Sequence, residues 1–246
     1  MNTIKGKIAL VTGGNSGIGY ATAKELAAKG ATVIITGRRK DAVEKAAAEL
    51  DVSGRVADQG KLQDTEALVN DVSKQFGKID ILFINAGIGA FTSIEQTTEE
   101  QYDSVMNVNL KGAYFMLSKF IPYLNDGASV VFLSSNSASM SIPNSSIYAS
   151  SKLALNSIMK IAALELAPRK IRVNSVSPGP TKTEIMNKFG LDQTVIDQLH
   201  DGMIGQIPLA KMGTAEDVAK LVVYLSDEAA TFITGSEFVI DGGMML

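Results

Sequence analysis

Short apolar runs alternate with longer amphipathic stretches along the whole chain. Ile8-Ala9-Leu10-Val11, Thr32-Val33-Ile34-Ile35-Thr36 and Ile79-Asp80-Ile81-Leu82-Phe83-Ile84 are apolar without strict alternation, as expected of strands covered on both faces. Gly54–Ala57 reads as a weaker strand, and Ser129–Leu133, Ile171–Val176 and Glu237–Ile240 complete the set. Between the strands, helical periodicity predicts Gly19–Lys29 ended by Gly30, an Ala/Glu/Lys-rich helix through Leu50, and Leu62–Phe76. One long helix follows over Glu99–Tyr123, then a helix carrying Tyr148 to about Ala167, then Ala215–Leu225. Strands that each lead into a helix predict an α/β fold with a parallel sheet, and right-handed crossovers make it doubly wound, with helices on both faces. No linker, repeat or low-complexity segment interrupts the pattern, so residues 1–246 are expected to form a single domain. Thr181–Gly213, with its prolines, glycines and methionines, is expected to leave the sheet region and return.

The chain is 46% hydrophobic and 20% charged, enough apolar content for a large core. A net charge of −3, with lysines and arginines dispersed, argues against a nucleic-acid or anionic membrane partner. Cysteine is absent, which excludes disulfides, thiolate metal sites and cysteine nucleophiles and suits a reducing interior. The lone His200 cannot build a multi-histidine metal site and reads as an ordinary surface or loop residue; no metal is expected. Met1–Lys7 lacks the apolar stretch of a signal peptide, and no run approaches the ~18 apolar residues of a membrane span. A soluble, cytoplasmic protein is the expectation.

Two local patterns carry chemistry. Thr12-Gly13-Gly14-Asn15-Ser16-Gly17-Ile18-Gly19 joins the first strand to the first helix. Glycines there let the backbone approach a pyrophosphate, whose charge is favoured at a helix N-terminus. A tight turn that binds nothing could use the same glycines, but the position between first strand and first helix favours a dinucleotide. The spacing is Gly-x-x-x-Gly-x-Gly rather than the commoner Gly-x-Gly-x-x-Gly. Farther on, Tyr148 and Lys152 stand four residues apart, on one helix face. A phenol titrates near pH ~10, and a nearby cation favours the phenolate and lowers that value. Such a pair suits acid–base chemistry on a carbonyl or alcohol oxygen. Taken alone, the spacing is weak and fits an exposed helix with a half-buried tyrosine better.

Together with Asn85-Ala86-Gly87, Ser135 and Pro178-Gly179, these segments resemble the short-chain dehydrogenase/reductase family, from Gly6-Lys7 to Asp241-Gly242-Gly243. The resemblance implies a Rossmann-type fold and a role for each matching residue. Tyr148 would protonate a ketone oxygen, Ser135 would orient that oxygen, and Lys152 would lower the tyrosine pKa and hold the nicotinamide ribose. Asn109 would support a water-linked proton path to the lysine. Ser134 competes with Ser135, and Asn107 with Asn109, which could also be a buried backbone-bonding side chain. Cofactor contacts are implied at Gly13, Asn15, Ser16, Gly17, Ile18, Gly19, Gly37, Asp58, Asn85, Ala86, Gly87, Tyr148, Lys152, Pro178, Gly179, Thr181 and Thr183. Two departures stand out: Ile84 where the family usually has asparagine, and Gln59 after Asp58 where an apolar residue is usual.

The second strand ends Ile35-Thr36-Gly37-Arg38-Arg39. An NAD enzyme tends to carry Asp or Glu here to accept from the ribose 2′-OH, whereas arginines pair with a 2′-phosphate. Arg38 and Arg39 could also merely decorate a helix start. NADP is expected as cofactor, with NAD possible. Asn136–Pro143, Gly89-Ala90-Phe91, Ile185, Met186 and Phe189 are expected to wall a mostly apolar pocket with no carboxylate clamp. That suits a small-molecule ketone or secondary alcohol. The expected activity is an NADPH-dependent carbonyl reductase or alcohol dehydrogenase. One alternative is a 3-oxoacyl-[acyl-carrier-protein] reductase, which needs a basic docking surface near the active-site mouth. Asn125-Asp126-Gly127-Ala128 lacks a cation there, though Arg169 and Lys170 could contribute. A non-catalytic dinucleotide sensor is the third reading. The resemblance also implies a homotetramer or homodimer built on the long helices after the fourth and fifth strands. The tail Met244-Met245-Leu246 fits burial against a neighbour or against its own subunit.

Overall fold

The computed structural model describes residues 3–182 and 201–246. Thr183, Ile185, Met186, Phe189 and His200 lie outside the described residues.

In chain order the elements run β1 (Ile8–Val11), α1 (Gly17–Ala28), β2 (Thr32–Gly37), α2 (Lys40–Leu50), β3 (Ser53–Val56), α3 (Leu62–Phe76) and β4 (Ile79–Ile84). Then come α4 (Glu99–Met106), α5 (Ala113–Phe120), β5 (Leu124–Leu133), α6 (Ser146–Leu166) and β6 (Arg172–Pro178). β7 (Thr181–Lys182), β8 (Gly213–Thr214), α7 (Ala215–Ser226) and β9 (Glu237–Ile240) close the chain. Seven strands form one parallel sheet in the order β3-β2-β1-β4-β5-β6-β9. The winding reverses between β1 and β4, where such sheets open a crevice at the carboxyl ends of their strands.

Neighbouring strand residues feed two separate cores. Leu10, Ile34, Leu82, Val130 and Phe132 pack with residues of α3, α5 and α6 on one face. Ala9, Val11, Val33, Ile35, Ile81, Phe83 and Val131 pack with α1 and α7 on the other. Because both faces are covered, successive residues are all apolar, which explains the absent alternation. Each fully buried Leu, Ile or Phe contributes roughly 1.5–3 kcal/mol.

Most element boundaries fall within a residue of where the pattern puts them, and the larger differences have physical causes. Helix α1 starts at Gly17 rather than Gly19, because the Tyr20 amide already bonds the Ser16 carbonyl at 3.2 Å. Gly17 sits at φ +55, a conformation only glycine adopts readily at the end of that turn. The expected helix over Glu99–Tyr123 is not continuous. A π-helical turn, Asn107–Gly112, separates α4 from α5, and a 3₁₀ turn with Pro122 ends the run. Here Gly112 presses on the backbone of Gln59 so closely that a Cβ would lie 2.1 Å from its carbonyl oxygen. Strand β5 begins at Leu124, which pairs with Ile79 ahead of a register shift, and β6 extends to Pro178.

The excursion after β6 is clasped at its base by the parallel pairing of β7 with β8. Thr214 then caps α7 reciprocally: its hydroxyl accepts from the Asp217 amide at 3.1 Å, and the Asp217 carboxylate accepts from the Thr214 amide at 2.9 Å. Among the described residues no helix is long and apolar enough to cross a membrane.

Candidate active site

The turn after β1 is built by side chains on both sides of the crevice. Thr12 is fully buried, and its hydroxyl accepts from the amides of Asn85 and Ala86, both at 3.0 Å. Asn85 answers by donating its side-chain amide to the carbonyls of Thr12 at 2.8 Å and Gly13 at 3.2 Å. The ends of β1 and β4 are thus tied together across the switch point. Ile84 is buried in the apolar core, and Asn85 supplies the amide at this junction. Gly19 packs beneath the turn, where a Cβ would lie 2.4 Å from the Gly13 carbonyl oxygen.

A cleft of about 590 Å³ opens over this turn. Of the sequence-predicted cofactor residues, Gly13, Asn15, Ser16, Gly17, Ile18, Gly37, Arg38, Arg39, Asp58, Asn85, Ala86 and Gly87 line it. Arg38 and Arg39 are exposed at its rim, with Gly37 beside them and no carboxylate at that position. A Cβ on Gly37 would sit 2.3 Å from Asn15 Oδ1, so the asparagine already occupies the space an acid would need. Asp58 also lines the cleft, its carboxylate accepting from the Gly60 amide at 3.0 Å. Gly19 is buried rather than part of the lining, because it is the packing face of α1. Pro178, Gly179 and Thr181 also lie outside the lining. Pro178 ends β6, the Gly179 amide donates to the Ile240 carbonyl at 3.0 Å, and the Thr181 hydroxyl donates to the Gly179 carbonyl at 2.9 Å.

The predicted catalytic side chains come from three elements. Ser135 follows the carboxyl end of β5 and caps a 3₁₀ turn, accepting from the Ser137 amide at 3.2 Å. Its hydroxyl stands close enough to the Tyr148 phenol on α6 to act against the rise that burial imposes on the phenol pKa. Ser134 is turned the other way, donating to the Lys152 carbonyl at 3.2 Å, which separates the two serines. The Phe91 ring leans on the Tyr148 ring, centroids 5.8 Å apart at 47°.

Lys152 is 3% exposed; its amine donates to the Leu133 carbonyl at 2.8 Å and lies 5.7 Å from the centre of the Tyr148 ring. Burial lowers the lysine pKa to about 8. It also raises that of Tyr148, against a smaller lowering by the Ser135 hydrogen bond. Burial thus acts in the direction opposite to the depression expected from the lysine. Desolvation of the phenolate is the largest influence on Tyr148.

Asn109 sits fully buried within the π-helical turn. Its amide grips the Ile88 backbone from both sides, accepting from N–H at 2.8 Å and donating to C=O at 2.9 Å. It also donates to the Ser151 hydroxyl at 3.2 Å, one residue from Lys152. The backbone-bonding role is thus present, and the side chain reaches the lysine's neighbourhood as well. Leu133 and Ser151 were not picked out by the sequence, and no role was given there to Thr12 or Gln59. Thr12 and Gln59 left a signal there, one as a polar residue ending a buried strand and the other as a break in an apolar position.

The family model described as enoyl-(acyl carrier protein) reductase matches residues 13–245. The human dehydrogenase/reductase SDR family member 4 is 38% identical, with 96% of this chain and 87% of that protein covered. An uncharacterized oxidoreductase of Methylorubrum extorquens is 36% identical over 99% of this chain and all of its own length, 100%. Among solved structures, a 3-ketoacyl-(acyl-carrier-protein) reductase from Brucella melitensis complexed with NADH superimposes with a TM-score of 0.89, at 32% identity, covering 99% of this chain and 100% of that one. With the fold, the glycine turn and the serine, tyrosine and lysine in their places, the chain belongs to the short-chain dehydrogenase/reductase family, as a nicotinamide-dinucleotide-dependent oxidoreductase acting on CH–OH and C=O groups.

Proposed function

We propose that this enzyme is an NADPH-dependent carbonyl reductase that takes a neutral small-molecule ketone to a secondary alcohol. The observation that carries the reading is the meeting of Ser135 with Tyr148 beside the buried Lys152, next to a cleft whose rim bears Arg38 and Arg39. The cleft fits a dinucleotide: Gly13 and Gly17 line it without side chains, and α1 presents its N-terminus. Gly13 to Gly19 and Asn85 to Gly87 would hold the pyrophosphate and ribose portions, and Arg38 with Arg39 the 2′-phosphate. The dinucleotide supplies the hydride when bound.

Everything else is done by the chain. As negative charge grows on the carbonyl oxygen, the hydroxyls of the buried Ser135 and the half-buried Tyr148 are two donors set in advance. Tyr148 gives its proton to that oxygen. A phenol whose pKa is raised by burial keeps its proton until the oxygen becomes basic enough to take it, which suits reduction. Lys152, poised near pH 8, restores the proton and would hold the ribose hydroxyls from below. Asn109 fixes the backbone over which this happens.

A 3-oxoacyl-[acyl-carrier-protein] reductase is the second reading, favoured by the likeness to the Brucella protein. Against it, the Arg169 guanidinium is committed to Asp126 at 2.8 Å and to the Ile121 and Leu124 carbonyls. These residues lie at the amino ends of β5 and β6, the edge of the sheet opposite Ser135, not at the mouth where a docking patch was expected. Assembly as a homotetramer or homodimer is supported by exposed apolar residues on the helices flanking β5, among them Tyr114, Leu153, Ile161 and Leu164, and by the fully exposed Phe232 and Leu246. Met244 instead meets its own subunit at Asn136. A cytoplasmic location agrees with the absence of cysteine. The deciding experiment is a panel of ketones and a 3-oxoacyl thioester, assayed with NADPH and NADH in parallel. Faster turnover with NADH, or preference for the carrier-linked thioester, overturns the first reading.

A further inference from the structure

Gln59 opens the turn before α3 and is 5% exposed. Its side-chain amide donates to the Ala86 carbonyl and to the Val108 carbonyl, each at 3.0 Å. Both neighbours are acceptors, so the NH₂ group must face them, and the oxygen is left buried with no hydrogen-bond partner. A buried oxygen without a donor is unfavourable. An apolar side chain would avoid that but would take the donor away from two carbonyls, so what the glutamine contributes is those two bonds.

Its neighbours show what glutamine gains. The Ala86–Ile88 strip is held at the Ala86 amide by Thr12 and at Ile88 by Asn109. Between these two points, the Ala86 carbonyl is bound by Gln59. Its second bond, to Val108, ties that carbonyl to the π-helical turn carrying Asn109. Gly87 lies in the middle of the strip, where a Cβ would be 3.3 Å from Asn109 Oδ1 and 3.4 Å from Lys152 Nζ. Gly112 lets the π-helical turn approach the Gln59 backbone closely enough for this clamp to close.

We propose that Gln59 is a positioning residue: it orients the Ala86–Gly87 peptide and so sets the height of Gly87 over the Lys152 amine, at the nicotinamide-ribose end of the cleft. The inference rests on the dinucleotide reading of the cleft. It assigns Gln59 an effect on the distant half of the ligand although the residue adjoins Asp58, whose neighbour Ala57 donates to the Gly37 carbonyl at 3.0 Å, next to Arg38.

The test compares two probes by calorimetry on the full chain: NADPH, and adenosine 2′,5′-bisphosphate, which lacks the nicotinamide ribose. Q59M keeps the side-chain length and removes the donor. It is expected to bind the bisphosphate within about twofold of wild type and NADPH about tenfold more weakly, the scale of one or two lost hydrogen bonds. The emission of bound NADPH should shift in the same variant. Q59E, nearly isosteric but with no NH₂ to give, should show the same split, so a poorly folded Q59M does not remove the test. Equal weakening of both probes, or no weakening of either, overturns the inference. A wild-type chain that binds neither probe instead sinks the functional reading itself, before any variant is made.

Discussion

The Lys152 amine donates to the Leu133 carbonyl at 2.8 Å and stands 5.7 Å from the centre of the Tyr148 ring. The lysine is thus anchored by the last residue of β5, the strand whose next residues lead to Ser135. One strand end sets the place of both partners of the tyrosine. Its backbone holds the cation, and its continuation supplies the hydroxyl.

Replacing Tyr148 by phenylalanine removes the proton donor and leaves the ring against Phe91. Turnover of a ketone should fall by about 10²–10⁴-fold, the usual share of a positioned proton donor. NADPH affinity should change little. Unchanged turnover in Y148F would refute the assignment.

Burial lowers the Lys152 pKa from 10.5 to about 8. Between those values the unfolded chain binds more protons than the folded one, so stability rises with pH through that window. Below pH 8 the penalty is present in full, on the order of 3 kcal/mol at most. Urea midpoints should climb between about pH 8 and 10.5 in wild type and stay flat in K152M. A flat wild-type profile would contradict the burial argument.

Cofactor choice depends on two positions at once. Introducing an acid by G37D brings a Cβ to within 2.3 Å of Asn15 Oδ1 and 2.9 Å of Val43 Cγ2. G37D alone should therefore weaken both dinucleotides, and G37D combined with N15A should recover NADH. R38A should raise the KM for NADPH by about tenfold and leave that for NADH nearly unchanged, in line with a charge-assisted phosphate contact of roughly 1.4 kcal/mol. Steady-state kinetics with both cofactors decide the matter, and equal effects on the two would contradict a phosphate contact at Arg38.

The glycine turn tolerates no side chain at position 19. In G19A the new methyl meets the Gly13 carbonyl oxygen at 2.4 Å, and the turn must shift. The variant should lose about 1–3 kcal/mol of stability, as overpacked sites do, and bind NADPH more weakly. Chemical denaturation and calorimetry on the same preparation measure both losses.

Much of the fold was legible in the sequence because a sheet buried on both faces demands continuous apolar strands. Leu10 and Val11 are adjacent in the chain yet serve opposite cores, and both must be apolar. The tyrosine–lysine spacing was legible because helix geometry is local. The π-helical turn was not: Asn107–Gly112 continues the periodicity of α4 and α5, and what widens it is its packing against Gln59, far off in the chain. Nor could periodicity show the start of β5, whose first pairing, Leu124 with Ile79, precedes a register shift.

The sequence by itself determined the element order, the glycine turn and which residues carry hydroxyl, phenol and ammonium groups. Those follow from local sterics and from the chemistry of each side chain. Tertiary structure alone decided that Ser135 rather than Ser134 meets Tyr148, that Asn109 grips Ile88, and that burial is the largest influence on the proton affinity of the phenol. These depend on which groups share a water-poor space across long sequence separations. Desolvation and hydrogen-bond direction are properties of that space, not of spacing along the chain.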